Sequence, residues 1–400
     1  MDSVKNLLLS LLPTLTATPP HIELLPAVLR SFDDPPECQQ EDFYDHIASA
    51  VTARSQEIRS SLEVPRPRPA QGGRRISKDY LRELRQSDCL WRFRFTADEL
   101  IELASVLRLP PVIITRSRYR TTRLEALALT CARLAHSGDL FDLVKDYDRS
   151  ESAISEIFNH TVRAIDDTWA HLLDFDSNRL LSPQQLASYA ASIRDAGAPT
   201  STVWGFIDCT IRRIARPSRF QRAAYNGYKK YHALKYQAVL IPNGLFAHLF
   251  GPWEGRRTDP FLLSESGLLD RCAKHAVRLD ADDGTPVEHR YFQLFGDPAY
   301  GVSPLLISPY SGPGQRSKRE QIFNHRMSSV RIEVEHGFGI VLSTWPFLYT
   351  FWKHRVYMSP LGRYYRTAVL LTNARSCFHP NQVALHFNCR PPELDEYFHL

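Results

Sequence analysis

At Val203 the hydrophobic pattern of the chain switches from a helical period to strict alternation, and no other feature constrains the fold as tightly. Val203 to Asp208 (VWGFID) alternates and is β-rich, and IRRIA follows after two residues. LKYQAVLI is a second extended run. Asn243-Gly244, a dipeptide suited to a two-residue hairpin, separates it from LFAHLFG. These runs predict a three-stranded meander. Asp259-Pro260 then opens a helix through Leu269, with Asp as N-cap and Pro in the first helical position. YFQLFGD and LLISPY read as further strands, and residues 320–342 as a long helix. The order β-β-β-α-β-β-α with mixed strand directions predicts an α/β layer fold.

Upstream the pattern is helical. Thr96 and Glu99 have capping-box spacing ahead of a helix that runs to about Val106 and ends before Pro110-Pro111. A helix near Thr122 carries Leu124, Leu127, Ala128, Cys131 and Leu134 at three- and four-residue steps. Leu140–Tyr147, a turn at 148–150, and a longer helix over 150–172 outline a helix-turn-helix. Arg149, Ser150, Glu151, Ser152, Ser155, Asn159 and His160 are its candidate DNA contacts, with a plain helical bundle as the alternative. The segment from Val64 to Arg75 alternates Pro with Arg and contains Gly72-Gly73, so it cannot propagate a helix. The expected organisation is a helical arm over 1–63, a linker over 64–77, an all-helical domain over 78–200, an α/β domain over 201–350 and a C-terminal extension over 351–400.

A net charge of +5 is too small to argue for nucleic acid globally. Seven Cys, scattered and without a C-x-x-C pair, argue against a disulfide framework and against a Cys-based zinc site. The chain lacks an apolar run long enough for a membrane helix, a serine-nucleophile elbow, a phosphate-loop glycine pattern and a zinc-protease H-E-x-x-H. An intracellular, membrane-free protein is expected.

Carboxylates carry the chemistry. Divalent cations that cleave phosphodiesters require several oxygen ligands gathered at one point. Asp208 follows one apolar strand and Asp297 another. If the two strands are neighbours, both acids emerge at one sheet edge, where Glu335 on the long helix could lean in. Each acid alone is more often a turn or surface residue.

Five blocks sharpen this reading. Ile207-Asp208-Cys209-Thr210, Tyr225–His232 (YNGYKKYH), Gly251–Asp259 leading into Ser266–Leu269, Gly296-Asp297-Pro298-Ala299-Tyr300, and Val334-Glu335-His336-Gly337-Phe338-Gly339 preceded by Val330-Arg331 occur in this order. Together they resemble the catalytic domain of PIF/Harbinger-type transposases, a branch of the DDE superfamily that includes Harbinger-derived nuclease-like proteins. The resemblance implies a ribonuclease-H-like mixed sheet flanked by helices. It implies Asp208, Asp297 and Glu335 as catalytic metal ligands, Asp259 as a fourth acidic member, and Glu333 as a near neighbour outside the set. Helix capping is the other reading of Asp259. Mg²⁺ or Mn²⁺ would serve a two-metal in-line displacement that cleaves and joins DNA phosphodiesters. The resemblance also implies a nuclear protein with a Myb-like DNA-binding partner, and it is compatible with a homo-oligomer. Cys209 stands where the family usually has Gly, Ile211-Arg212 where it often has His, and Trp345-Pro346 where a basic residue often follows.

Arg212, Arg213, Arg216, Arg219, Lys229 and Lys230, interleaved with Tyr225, Tyr228 and Tyr231, are the candidate DNA-binding set. The alternative function is a domesticated, catalytically silent protein that binds DNA or chromatin.

Overall fold

The protein is represented by a computed structural model that describes residues 70–282, 284–312 and 314–399. The arm expected over 1–63 and the start of the 64–77 linker lie outside them. The described residues belong to one compact unit, Pro69–Leu400.

Helical elements come first: α1 (Lys78–Glu83), α2 (Gln86–Phe93), α3 (Ala97–Val106), α4 (Arg123–Ala135), α5 (Leu140–Tyr147), α6 (Glu151–Trp169) and α7 (Pro183–Asp195). A short hairpin, β1 (Val112–Ile114) with β2 (Arg120–Thr122), sits between α3 and α4. Local chemistry explains the starts. Thr96 and Glu99 form the expected capping box on α3, Thr122 caps α4, and Ser150 caps α6. Helix α7, which hydrophobic periodicity alone did not mark, begins with Ser182 as N-cap and Pro183 in its first turn. Gly72 and Gly73 lie against the end of α5, with Gly72 N–H donating to the Val144 carbonyl. A Cβ on Gly73 would meet the Asp146 carbonyl, and its φ of 70° favours glycine.

The main sheet contains β3 (Val203–Arg213), β4 (Tyr225–Asn226), β5 (Tyr231–Leu240), β6 (Phe246–Glu254), β7 (Gln293–Phe295) and β8 (Leu306–Ile307). Strand β5 is flanked by β3 and β6, both antiparallel to it. On the other side of β3 come β7 and then β8, both parallel. The backbone between β6 and β7 forms α8 (Asp259–Glu265) and α9 (Leu268–His275). The continuous helix expected from 260 to 269 is therefore broken, at Gly267, whose φ is 60°.

Helix α10 (Lys318–Thr344) packs across the sheet where a Cβ on Gly337 would come 2.8 Å from Leu240 Cδ2. Helix α11 (Leu361–Phe378) joins the helical and sheet layers, and α12 (Gln382–His386) follows it. On α11, Arg366 forms a two-pronged pair with buried Asp166 of α6 at 2.7 and 2.8 Å. Asn373 bonds both the N–H and the carbonyl of Phe246 on β6. One hydrophobic cluster runs from Ile76 to Phe398. No described helix is long and apolar enough to cross a membrane.

The segment read as a helix-turn-helix forms α5, a turn with Asp148 in the left-handed region, and α6. Arg149, expected as a DNA contact, is instead buried. Its guanidinium clamps Glu125 of α4 at 2.8 and 2.7 Å and reaches the Arg120 carbonyl at 2.8 Å. Asn159 likewise accepts from the Tyr364 hydroxyl. Removing one partner of a buried pair leaves the other charge uncompensated. Arg149→Ala is expected to lower unfolding free energy by about 3–5 kcal/mol in urea titration. The double variant Arg149→Met with Glu125→Leu should recover much of that loss.

Candidate active site

Asp208 does not end its strand, as the alternation suggested. Strand β3 runs on to Arg213 because Cys209 to Arg213 keep pairing with β5. What ends is the neighbour on the other side. Phe206 pairs with Phe295 in the parallel β3–β7 ladder, and β7 stops there. Two residues further along both chains, Asp208 and Asp297 stand level on adjacent strand lines.

Arg331 of α10 closes this corner. Its Nη2 lies 3.3 Å from Asp208 Oδ2 and 4.0 Å from Asp297 Oδ2. The two carboxylate oxygens are therefore separated by less than the sum of those distances. Asp208 Oδ1 also accepts from the Cys209 N–H at 2.8 Å. Asp297 begins a single 3₁₀ turn, Pro298–Tyr300, and its Oδ1 accepts from the Ala299 N–H at 2.9 Å. Gly296 precedes it because a Cβ there would meet the Tyr300 ring at 2.7 Å and Ile207 at 2.9 Å.

Burial raises the Asp208 carboxyl to about 6 from its ordinary 3.8; Arg331 and the Cys209 amide oppose the rise, and Asp259 and Asp297 add to it. Desolvation of a carboxylate with like charges nearby acts in this direction.

Asp259 is not an N-cap. Thr258 holds that position, without a side-chain capping bond, and Asp259 is the first residue of α8. Its carboxylate pairs instead with buried Lys235 of β5, which also donates to the Arg257 carbonyl at 3.0 Å. Lys235 lies opposite Ile211, and Gln237 opposite Cys209, so Lys235 and Cys209 share the sheet face that Asp208 does not. On that face the Tyr300 hydroxyl donates to Cys209 Sγ at 3.2 Å, and burial pushes the Cys209 thiol up. The six described cysteines are free.

Glu335 lies four residues beyond Arg331, hence one turn along the same side of α10, and is exposed. Glu333 faces elsewhere. It is buried, with His336 Nδ1 at 3.2 Å and His386 Nδ1 at 3.8 Å. Among the described residues, no three His, Cys, Asp or Glu side chains are drawn close enough to enclose a metal ion. Arg331 and Lys235 occupy the gaps between the acids. The donor chemistry still fits a hard cation: Asp208 and Asp297 offer adjoining carboxylate oxygens, and burial already disfavours leaving Asp208 charged without one. Neither Arg331 nor Lys235 could be assigned a partner from sequence, since neither contact is local.

Of the basic set, Arg212 is half-buried beside the Thr210 hydroxyl and the Tyr365 ring. Arg213 stacks over Phe351. Arg216, Arg219, Lys229 and Lys230 are exposed on the β3–β5 connection.

The segment carrying this corner is similar in sequence to a known family. Residues 207–373 match the family model described as DDE superfamily endonuclease. No curated protein and no solved structure matches the chain.

The pH response of the corner has a definite sign. An unfolded chain ionises Asp208 near 3.8, whereas the folded protein does so near 6. Ionisation therefore favours unfolding, with a penalty absent below the lower value and complete above the upper one. Metal-free protein is expected to lose on the order of 2–3 kcal/mol from this group across that window. Urea unfolding at stepped pH measures it, and Asp208→Asn should flatten the slope. An equal slope in the variant would show that another group is responsible.

Proposed function

We propose that this chain is a metal-dependent DNA endonuclease or transposase whose centre is Asp208, Asp297 and Glu335. The carrying observation is the shared contact of one guanidinium with both aspartates, which supports a common oxygen-rich point where β7 ends beside the middle of β3. The strand arrangement, three antiparallel strands followed by two parallel to the first, supports the ribonuclease-H-like reading.

Mg²⁺ or Mn²⁺, when bound, would activate the attacking oxygen and stabilise the leaving one. Asp208 and Asp297 would hold it, with Glu335 on the same side of α10 as Arg331 as the third ligand of this reading. Asp259 belongs to the neighbouring Lys235 pair and acts on the centre through charge. Asp208 must be ionised to serve as a ligand. Arg331 lies against the two carboxylates and offsets part of their charge in the metal-free protein. Arg216, Arg219, Lys229 and Lys230 offset the repulsion between the acids and a DNA backbone, with Arg212 and Arg213 at the end of β3. A nuclear location and a Myb-like DNA-binding partner remain part of this reading, as the sequence resemblance implies; it leaves room for a homo-oligomer.

One observation favours the alternative of a domesticated, silent DNA- or chromatin-binding protein: Arg331 and Lys235 already satisfy three of the acids. Nicking of supercoiled DNA with Mg²⁺ or Mn²⁺ separates the two. Wild type should nick, and Asp208→Ala or Asp297→Ala should reduce the rate by about a thousandfold or more. Equal rates in wild type and variants would remove the nuclease reading and leave the binding protein.

A further inference from the structure

Beyond the carboxylate corner, two chain segments far apart in sequence form one surface. Arg213, at the end of β3, lies 3.7 Å from the Phe351 ring centre and 5.4 Å from that of Tyr231. The Ala215 N–H donates to the His354 carbonyl at 3.0 Å. The loop after α10 is thereby fixed to the β3–β5 connection. It carries three large aromatics in solvent: Tyr349, Trp352 and Tyr357 are 58%, 56% and 62% exposed. Trp352 stands edge-on to Phe351 at 5.2 Å, which holds one end of the group against a fixed ring.

The two segments themselves carry charge of one sign. Neither residues 211–231 nor residues 345–358 contain an Asp or Glu. Arg213, Arg216 and Arg355 are exposed there, whereas Lys353 is held by Asp139 at 3.1 Å. Large aromatics exposed within nine residues of one anchored loop are a candidate interaction site. An apolar protein partner would gain nothing from the exposed guanidinium groups, and a closed duplex presents few ring faces to the aromatics. Strands with unpaired bases use both features, phosphates on the cations and bases on the rings.

We propose that the Tyr349–Tyr357 loop, with the end of β3, is a stacking platform for unpaired DNA bases flanking the cleavage point. The assignment rests on the nuclease reading above. Arg213 is five residues beyond Asp208 along β3, roughly 17 Å, or about five stacked nucleotides from the centre.

Fluorescence anisotropy of the full chain with a labelled polythymidine strand and with a labelled duplex tests it, alongside quenching of tryptophan emission. The double variant Tyr349→Ala, Trp352→Ala should bind the single strand about five- to a hundredfold more weakly and the duplex nearly unchanged. Trp352→Tyr should retain most single-strand affinity, because a ring remains. Arg355→Ala should weaken both substrates and lower the salt slope. Equal single-strand affinity in the double variant, with its thermal melting intact, overturns the platform while leaving the nuclease reading standing. A parallel loss on both substrates also overturns it, since the rings would then act without regard to base pairing. Failure of the wild type to bind either substrate removes both proposals.

Discussion

A carboxylate largely withdrawn from water in the interior of a β-strand is costly unless something opposite compensates it, and Asp208 is such a group. The compensation comes from the side of the sheet, where Arg331 on a 27-residue helix reaches it. For that contact to exist, α10 must approach β5 so closely that a Cβ at position 337 would press on the Leu240 side chain. Strand β7 must also end at its pair with Phe206, so that the space beside Asp208 is left to Asp297. The corner therefore depends on one electrostatic demand met by the lengths of two strands and the seat of one helix.

The helical layers serve the same end indirectly. Arg366 pairs with Asp166 across α11 and α6, while Asn373 binds the edge of β6. Helix α11 thus transmits the positions of the N-terminal helices to the sheet. Arg149 and Asn159, which a DNA-reading helix would present outward, are used in this packing. Cationic surface suited to a polyanion is found instead on the β3–β5 connection and the loop after α10.

Much was legible along the chain. Helix starts at Thr96, Thr122 and Ser150 follow from local capping chemistry. The strands around Asn243-Gly244 follow from alternation. Less legible were strand ends and helix breaks. Asp208 looked terminal because IRRIA resembled a separate run, but β5 pairs continuously through both. Asp259 looked like a cap because Asp-Pro is a common helix opening, but a buried lysine on the neighbouring strand captured its carboxylate. Propensity ranks local options, and long-range charge pairing overrode it here.

The sequence by itself determined which side chains are available: the order of the elements, the acids at 208, 259, 297 and 335, and the acid-free basic stretch after β3. Tertiary structure alone decided who meets whom. Asp208 and Asp297 share Arg331, Asp259 goes to Lys235, and Glu333 turns away into histidines. The reason is physical: periodicity is a local property of the backbone, whereas a charge pair forms only after register and helix seating bring distant residues within a few ångströms.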